Sequence, residues 1–313
     1  MARAGCTMQV RGGAVALAWL CALPSCAPGE VDGLVDGADA AAAGSATPEA
    51  PVVIDAPAGA RSCAPGAYYL GRVAGQVLDY AGAPVARGLL SICGGACFPG
   101  ETGADGRFSI AIDTCFPATA EYPHGAAFVF DGLNRRPDVF YDFNPGNATR
   151  MGLVTLTRPI YVATFEGGGR AVAPMRASAP LTVVDGLGFS LRFNPATIEY
   201  PVTAAEEAVR VVRVSVAKLP PYAVRAPAVA YAISPSDAVL SAPAAVEFPN
   251  VSGLAPGALV EIVAVGNHAS GGRPALGVLA RVDTGRVSAD GRRVVASTGL
   301  RFFGTVGYRT VTP

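Results

Sequence analysis

Beyond residue 63 the apolar positions recur in short runs of period two, separated by Gly, Pro, Asn and Asp, and no stretch sustains a helical period. Val73, Gly75 and Val77 form one alternating set, Leu90 and Ile92 a second, and Phe108, Ile110 and Ile112 a third; Leu153-Val154-Thr155-Leu156 closes that region. From Pro159 the texture repeats. Ala208 to Val216 alternates but slips phase at Val211-Val212, which predicts a β-bulge. Val246 and Phe248 flank Glu247, and Val278, Ala280 and Val282 alternate with Leu279, Arg281 and Asp283. Leu259 to Val265 is nearly continuous in apolar residues and predicts a central strand. Asp105-Gly106 and Asp290-Gly291 are two-residue hairpin signals. The pattern predicts an all-β fold: two β-sandwich domains, over 63–158 and 159–313.

The N-terminus has a different pattern. Arg3 and Arg11 precede an apolar run from Gly12 to Leu23, with no acidic residue among them. This is the plan of a secretory signal, and the run is shorter than the roughly 20 apolar residues that span a bilayer. Leu23-Pro24-Ser25-Cys26 resembles the lipobox of bacterial lipoproteins, which implies acylation at Cys26 and removal of residues 1–25. Pro24 is unusual at the middle position. Cys21 is a poorer lipid site because Leu20 precedes it, and ordinary cleavage after Ala27 would leave Pro28 beyond the cut. Residues 26–62 follow as an expected disordered tether. Ala27–Ser62 holds six acidic residues, one arginine and four prolines, too little apolar content to offset ordering entropy. Val52-Val53-Ile54 is its apolar exception, suited to dock as an edge strand.

Charge narrows the partners. The formal net charge of the 313 residues is zero, and no basic cluster exceeds the pairs Arg135-Arg136 and Arg292-Arg293, so no nucleic-acid footprint is present. One lysine, Lys218, stands against 23 arginines. Of seven cysteines, Cys6 and Cys21 lie in the expected signal peptide and Cys26 takes the lipid. Cys63, Cys93, Cys97 and Cys115 remain, an even number that predicts two disulfides in an exported protein. The rival is a metal site built on Cys93-x-x-x-Cys97. It lacks a second close pair of ligands, and the only histidines, His124 and His268, are far apart in sequence. Of the three pairings open to four cysteines, the register of an Asp105-Gly106 hairpin favours Cys97–Cys115, because it sets those two almost opposite; Cys63–Cys93 is then left.

Gly75-Gln76-Val77-Leu78-Asp79, Gly82-Ala83-Pro84-Val85 and Thr102-Gly103-Ala104-Asp105-Gly106-Arg107-Phe108 together resemble the carboxypeptidase regulatory-like domain, over about Arg72 to Arg158. The resemblance implies a seven-stranded prealbumin-like sandwich, an accessory module with no catalytic residues. Asp113 to Ala148 stands where that family has a Gly-x-Tyr strand, and reads as an insertion or elaborated loop. Tyr231 to Pro249 is weakly similar to stretches of ZU5-like and teneurin-type extracellular β domains.

Candidate chemistry is sparse. Gly-x-Ser-x-Gly, His-Glu-x-x-His, a P-loop and a strand-to-helix Gly-x-Gly-x-x-Gly are all missing. His268 and Ser270 are neighbours on a Gly-rich loop, but adjacency supplies neither triad geometry nor an orienting acid, and a surface loop is the expectation. Asp131, Asp138, Asp142 and Asn144 are oxygen ligands suited to calcium, without the spacing of an EF-hand; solvated loop carboxylates are the favoured reading. Tyr122, Tyr141 and Phe143, with Asp138 and Asp142, form a candidate ligand surface in the inserted segment. Its rival is core filling by Phe128, Phe130, Phe140, Tyr141 and Phe143, favoured by the alternation of Phe128 and Phe130. Trp19, the only tryptophan, lies in the signal segment, which weakens a sugar-stacking role.

The sequence thus describes an exported protein anchored by lipid, expected in the outer membrane of a Gram-negative bacterium, with periplasmic or secreted placement as the alternative. The expected role is non-catalytic, needs no cofactor or metal, and is structural, adhesive or ligand-presenting, with a cell-surface protein or glycan as partner. The alternative is a carbohydrate- or peptide-binding accessory to a secreted hydrolase. A third reading, a hydrolase acting through the His268 loop, is expected to show no turnover.

Overall fold

The computed structural model describes residues 63–311 apart from 66, 95, 118–124, 131–136, 144–151, 166–179, 185–186, 200–208, 221–224, 237 and 272–273. The signal segment, Cys26, the tether and Tyr122 lie outside the described residues. Nineteen strands are described, and the only helices among those residues are single 3₁₀ turns. The fold is all-β.

Eight strands come from the first region: β1 (Ala67–Asp79), β2 (Leu89–Cys93), β3 (Cys97–Glu101), β4 (Arg107–Pro117), β5 (Gly125–Phe130), β6 (Val139–Phe143), β7 (Leu153–Thr155) and β8 (Ile160–Val162). They make two four-stranded sheets. In one, β4 pairs antiparallel with β1, while β7 and β8 pair parallel with β1. The other runs β3-β2-β5-β6, antiparallel throughout. Val73, Val77 and Ile110 from the first sheet meet Leu90, Ile92 and Tyr141 from the second in one apolar core, as the alternation of apolar residues requires. β8 sets the limit of this region. Ile160–Val162 pairs with Val77–Asp79, so the first set of sheets runs past the expected boundary at 158.

The Asp105-Gly106 turn does not make the expected hairpin ladder. Gly103 N–H donates to Arg107 O at 2.7 Å, and there the pairing ends: β3 belongs to one sheet and β4 to the other. The turn is a corner between layers. Gly106 has φ +73°, and a Cβ on it would meet Val77 O at 2.4 Å, so the corner lies directly against β1 and requires glycine. This overturns the register behind the expected disulfides. β4 pairs with β1 instead, and Cys63, just before β1, is bonded to Cys115 on β4. Cys93 and Cys97 face each other across the short β2–β3 connection, with Cα atoms 4.1 Å apart, and are bonded together. The pairs are Cys63–Cys115 and Cys93–Cys97, not Cys97–Cys115 and Cys63–Cys93.

The second region is one antiparallel sheet of eleven strands: β9 (Leu181–Val184), β10 (Ser190–Phe193), β11 (Ile198–Glu199), β12 (Arg210–Val214), β13 (Val229–Ser234), β14 (Val239–Pro249), β15 (Leu259–Val265), β16 (Leu279–Val287), β17 (Arg293–Ala296), β18 (Leu300–Phe302) and β19 (Thr305–Thr310). The order is β12-β13-β19-β15-β16-β17-β14-β10-β9, with β11 and β18 also on β14. The sheet curls over its own core. Phe189, beside β10 near one end, stacks on Tyr231 of β13 near the other, with ring centroids 4.3 Å apart. β15 is central, as expected, and the Asp290-Gly291 hairpin joins β16 to β17 in register.

The predicted bulge at Val211-Val212 is absent. Arg210 to Val214 pairs with Ser234 to Ala230 without a shift. The apolar phase slips because both faces of β12 are covered. Val211 points into the large core, while Val212 and Val214 pack on the other face with Leu219, Ala230 and Ala232. Bulges occur elsewhere: in β4 opposite Leu70–Arg72, where Asp113 has φ +46°, and in β16 opposite Ile262–Val263.

The two regions share apolar contacts. Cys93 and Phe140 pack with Val263, Val265, Leu276 and Leu279. Lys218 Nζ lies 5.2 Å from the Tyr80 ring centre and 5.0 Å from that of Tyr161, and donates to Tyr80 O.

Candidate functional site

Two aromatic residues of the expected ligand surface on the inserted segment are buried. Tyr141 is 2% exposed and Phe143 7% exposed, and both point into the first core from β6. The favoured core-filling reading holds for them. Phe128 stacks on Phe140 at 4.4 Å and on Phe130 at 5.3 Å, so these three rings build a layer. Asp138 is half-buried and lines a crevice with Tyr80, Tyr161 and Lys218. Tyr122, Asp131, Asn144 and the side chain of Asp142 lie outside the described residues. Among the described residues no group of three or more His, Cys, Asp or Glu side chains is placed to hold a metal ion.

The His268 loop is a 3₁₀ turn, His268–Ser270. Ser270 Oγ sits 2.7 Å from both Asn267 O and Pro274 O, so its single hydrogen is donated to backbone carbonyls. The imidazole meets Phe128 and Phe140 edge-on, at 5.7 and 5.9 Å. The two side chains serve different partners. Asn267 Nδ2 donates to Ser236 O and, at 2.6 Å, to Phe303 O, which ties this turn to the end of β18.

A groove of about 770 Å³ opens beside that turn, within the roughly 300–1,000 Å³ typical of ligand clefts. It follows from a fork in the large sheet. β17 runs antiparallel to β16 as far as Ser297, whose N–H donates to Thr284 O at 2.8 Å. The chain then bends at Thr298-Gly299 and continues as β18 along the first half of β14, leaving β16. Gly299 has φ +95°, and a Cβ there would stand 2.3 Å from Ala244 O, so only glycine permits the bend to lie against β14.

Asp283 fixes the fork from the β16 side. Its carboxylate accepts from Thr284 N–H at 2.7 Å, Thr298 N–H at 2.8 Å and Gly299 N–H at 2.9 Å. Partial burial pushes the Asp283 carboxyl pKa up, but the backbone donors of Thr298, Gly299 and Thr284 outweigh it, and the group lies below its ordinary 3.8.

The lining shows that the groove runs along strand edges. It is touched by consecutive residues Ala280–Val282 on β16 and Thr298–Phe302 on the bend and β18. Consecutive strand side chains point to opposite faces, so a cleft reached by all of them lies between the two edges. The inner wall is apolar: Leu300 and Phe302 belong to the large core and Val282 packs against it. Arg281 and Arg301 are exposed on the same lining, with no carboxylate partner among the described residues. No tyrosine or tryptophan lines it among those residues.

Sequence reading missed this site because its parts look ordinary in one dimension. The legible trace is Asp283 at the end of an alternating run and Ser297-Thr298-Gly299 breaking another. Comparison of the chain with protein-family models, curated proteins and solved structures finds no match.

Proposed function

We propose that this is a non-catalytic exported lipoprotein, anchored through Cys26, that presents the fork groove to a ligand at the cell surface. The observation that carries the binding role is the groove itself: an apolar inner wall with two exposed arginines, Arg281 and Arg301, on a lining fixed by Asp283. Lipid anchoring rests on the Leu23–Cys26 motif and on the acidic segment after it, and the resemblance of 72–158 to a carboxypeptidase regulatory-like module agrees with an accessory role. Among the described residues no helix is long and apolar enough to cross a membrane.

Two measurements test the reading. Growth with a clickable fatty acid is expected to label the wild type and not Cys26→Ala; an unlabelled wild type that is exported normally ends the anchoring claim. For the groove, 8-anilinonaphthalene-1-sulfonate joins an anion to an apolar ring system. Its fluorescence is expected to saturate at one site and to weaken in Ala280→Trp, which puts an indole ring into the groove. Saturation unchanged by that substitution places the dye elsewhere and removes the groove from the proposal.

A further inference from the structure

We infer that the ligand is an extended acidic peptide of a partner protein, taken up as an added strand between β16 and β18; this rests on the groove being a binding site.

The backbone of β16 carries the first part of the inference. Toward β15, Gly266 N–H donates to Val278 O at 3.0 Å, and the pairs continue through Ala280↔Ala264. Antiparallel strands turn alternate residues to alternate neighbours, so the peptide groups of Leu279 and Arg281 face the other edge. On that edge the last partner among the described residues is Ser297, bonded to Thr284; from Leu279 to Val282 none follows. An edge with free N–H and C=O groups inside a walled slot accepts a main chain. A saccharide has no regular donor–acceptor ladder to match it, and no tyrosine or tryptophan lines the groove among the described residues.

The side chains carry the second part. A strand in the slot turns alternate residues to opposite faces. One face meets Val282, Leu300 and Phe302 on the apolar wall, and the other meets exposed Arg281 and Arg301. The nearest acid on β16, Asp283, has its carboxylate oxygens engaged by backbone N–H groups and makes no ion pair with either arginine. The complementary sequence therefore alternates apolar and acidic residues, and guanidinium–carboxylate hydrogen bonds hold the acidic face.

The test uses the full mature protein and a fluorescein-labelled octapeptide, (Val-Glu)4, followed by anisotropy. Saturable binding is expected. It should weaken about tenfold or more in Arg281→Glu or Arg301→Glu, the scale of one charge-assisted contact. Both arginines are exposed, so unchanged unfolding midpoints are expected and exclude misfolding as the cause. (Val-Gln)4 and a (Val-Glu)4 methylated on alternate backbone nitrogens should each bind at least about tenfold more weakly. Equal binding of the methylated peptide overturns strand addition, and equal binding of (Val-Gln)4 overturns the acidic requirement. If trigalacturonate displaces the naphthalene sulfonate while (Val-Glu)4 does not, the groove binds an anion but the peptide inference falls. If neither the dye nor any peptide binds, the groove reading falls with it.

Discussion

Tyr141 buries its ring in the first core, yet its hydroxyl has no hydrogen-bond partner among the described residues. An unpaired buried hydroxyl costs about 1–3 kcal/mol of desolvation. Tyr141→Phe is therefore expected to leave the unfolding midpoint unchanged or to raise stability by about 1 kcal/mol, read by denaturant unfolding; a loss of more than about 1 kcal/mol would show that the hydroxyl is satisfied. Asp283 responds in the opposite sense. Its folded pKa lies below the ordinary 3.8, so its contribution is present above the unfolded value and is lost as pH falls through the folded one. Wild-type stability should decline below about pH 4 with a component missing from Asp283→Asn. The same substitution removes an acceptor from Thr298 or Gly299, so dye binding in the groove should weaken at pH 7. Parallel acid curves in the two proteins would remove Asp283 from the clamp.

At the scale of elements, the two disulfides differ in the length of chain they close. Cys63–Cys115 spans 52 residues and Cys93–Cys97 only four. On the chain-entropy model the first is worth about 4 kcal/mol and the second about 2 kcal/mol, so Cys63→Ser/Cys115→Ser should destabilise more than Cys93→Ala/Cys97→Ala. Cys93 complicates the ordering because its side chain lies in the contact layer with Val263 and Leu279. Alanine leaves part of that space empty and narrows the gap. Peptide mapping without reduction should show Cys93 joined to Cys97. The same elements show what sequence makes visible. Alternation at Val73, Val77, Phe108 and Ile110 marks a buried strand face, and local chemistry suffices for the Asp290-Gly291 hairpin. Asp105-Gly106 carries the same local signal and makes a corner, because β4 finds its partner in β1, some forty residues back in the chain. Val211-Val212 misleads for a related reason. A phase slip and a strand buried on both faces read alike until the second layer is known. The groove was the least legible feature, since it depends on where β17 stops following β16.

At the scale of the molecule, the seam joining the first sheets to the large one holds an ionisable group that ties its integrity to alkaline pH. Tyr80, in the turn after β1, packs against the cluster that holds Val214, Leu219, Ala230 and Ala232 of the second region. Burial pushes its phenol up to about 12, against a smaller opposite pull from the Ser215 backbone hydrogen bond. A group whose folded pKa is raised contributes fully below its unfolded value, here 10.0, and the contribution disappears as pH climbs through the folded one. Between about pH 10 and 12 the unfolded chain releases this proton while the folded chain retains it, so stability falls across that window and levels beyond it. Two pH units correspond to at most roughly 3 kcal/mol, which a partly exposed ring will not fully reach. Tyr80→Phe keeps the ring beneath Lys218 and removes the ionisation. Its unfolding free energy should match wild type near pH 8, less the Ser215 hydrogen bond, and decline less steeply above pH 10. Hydrogen exchange locates the effect: strand β13, which carries Ala230 and Ala232 on the seam, should lose protection at pH 11 in wild type before the large core does. Uniform loss throughout the protein would mean that the seam is no weaker than the cores it joins. Identical alkaline curves for Tyr80→Phe and wild type would assign the decline to other groups.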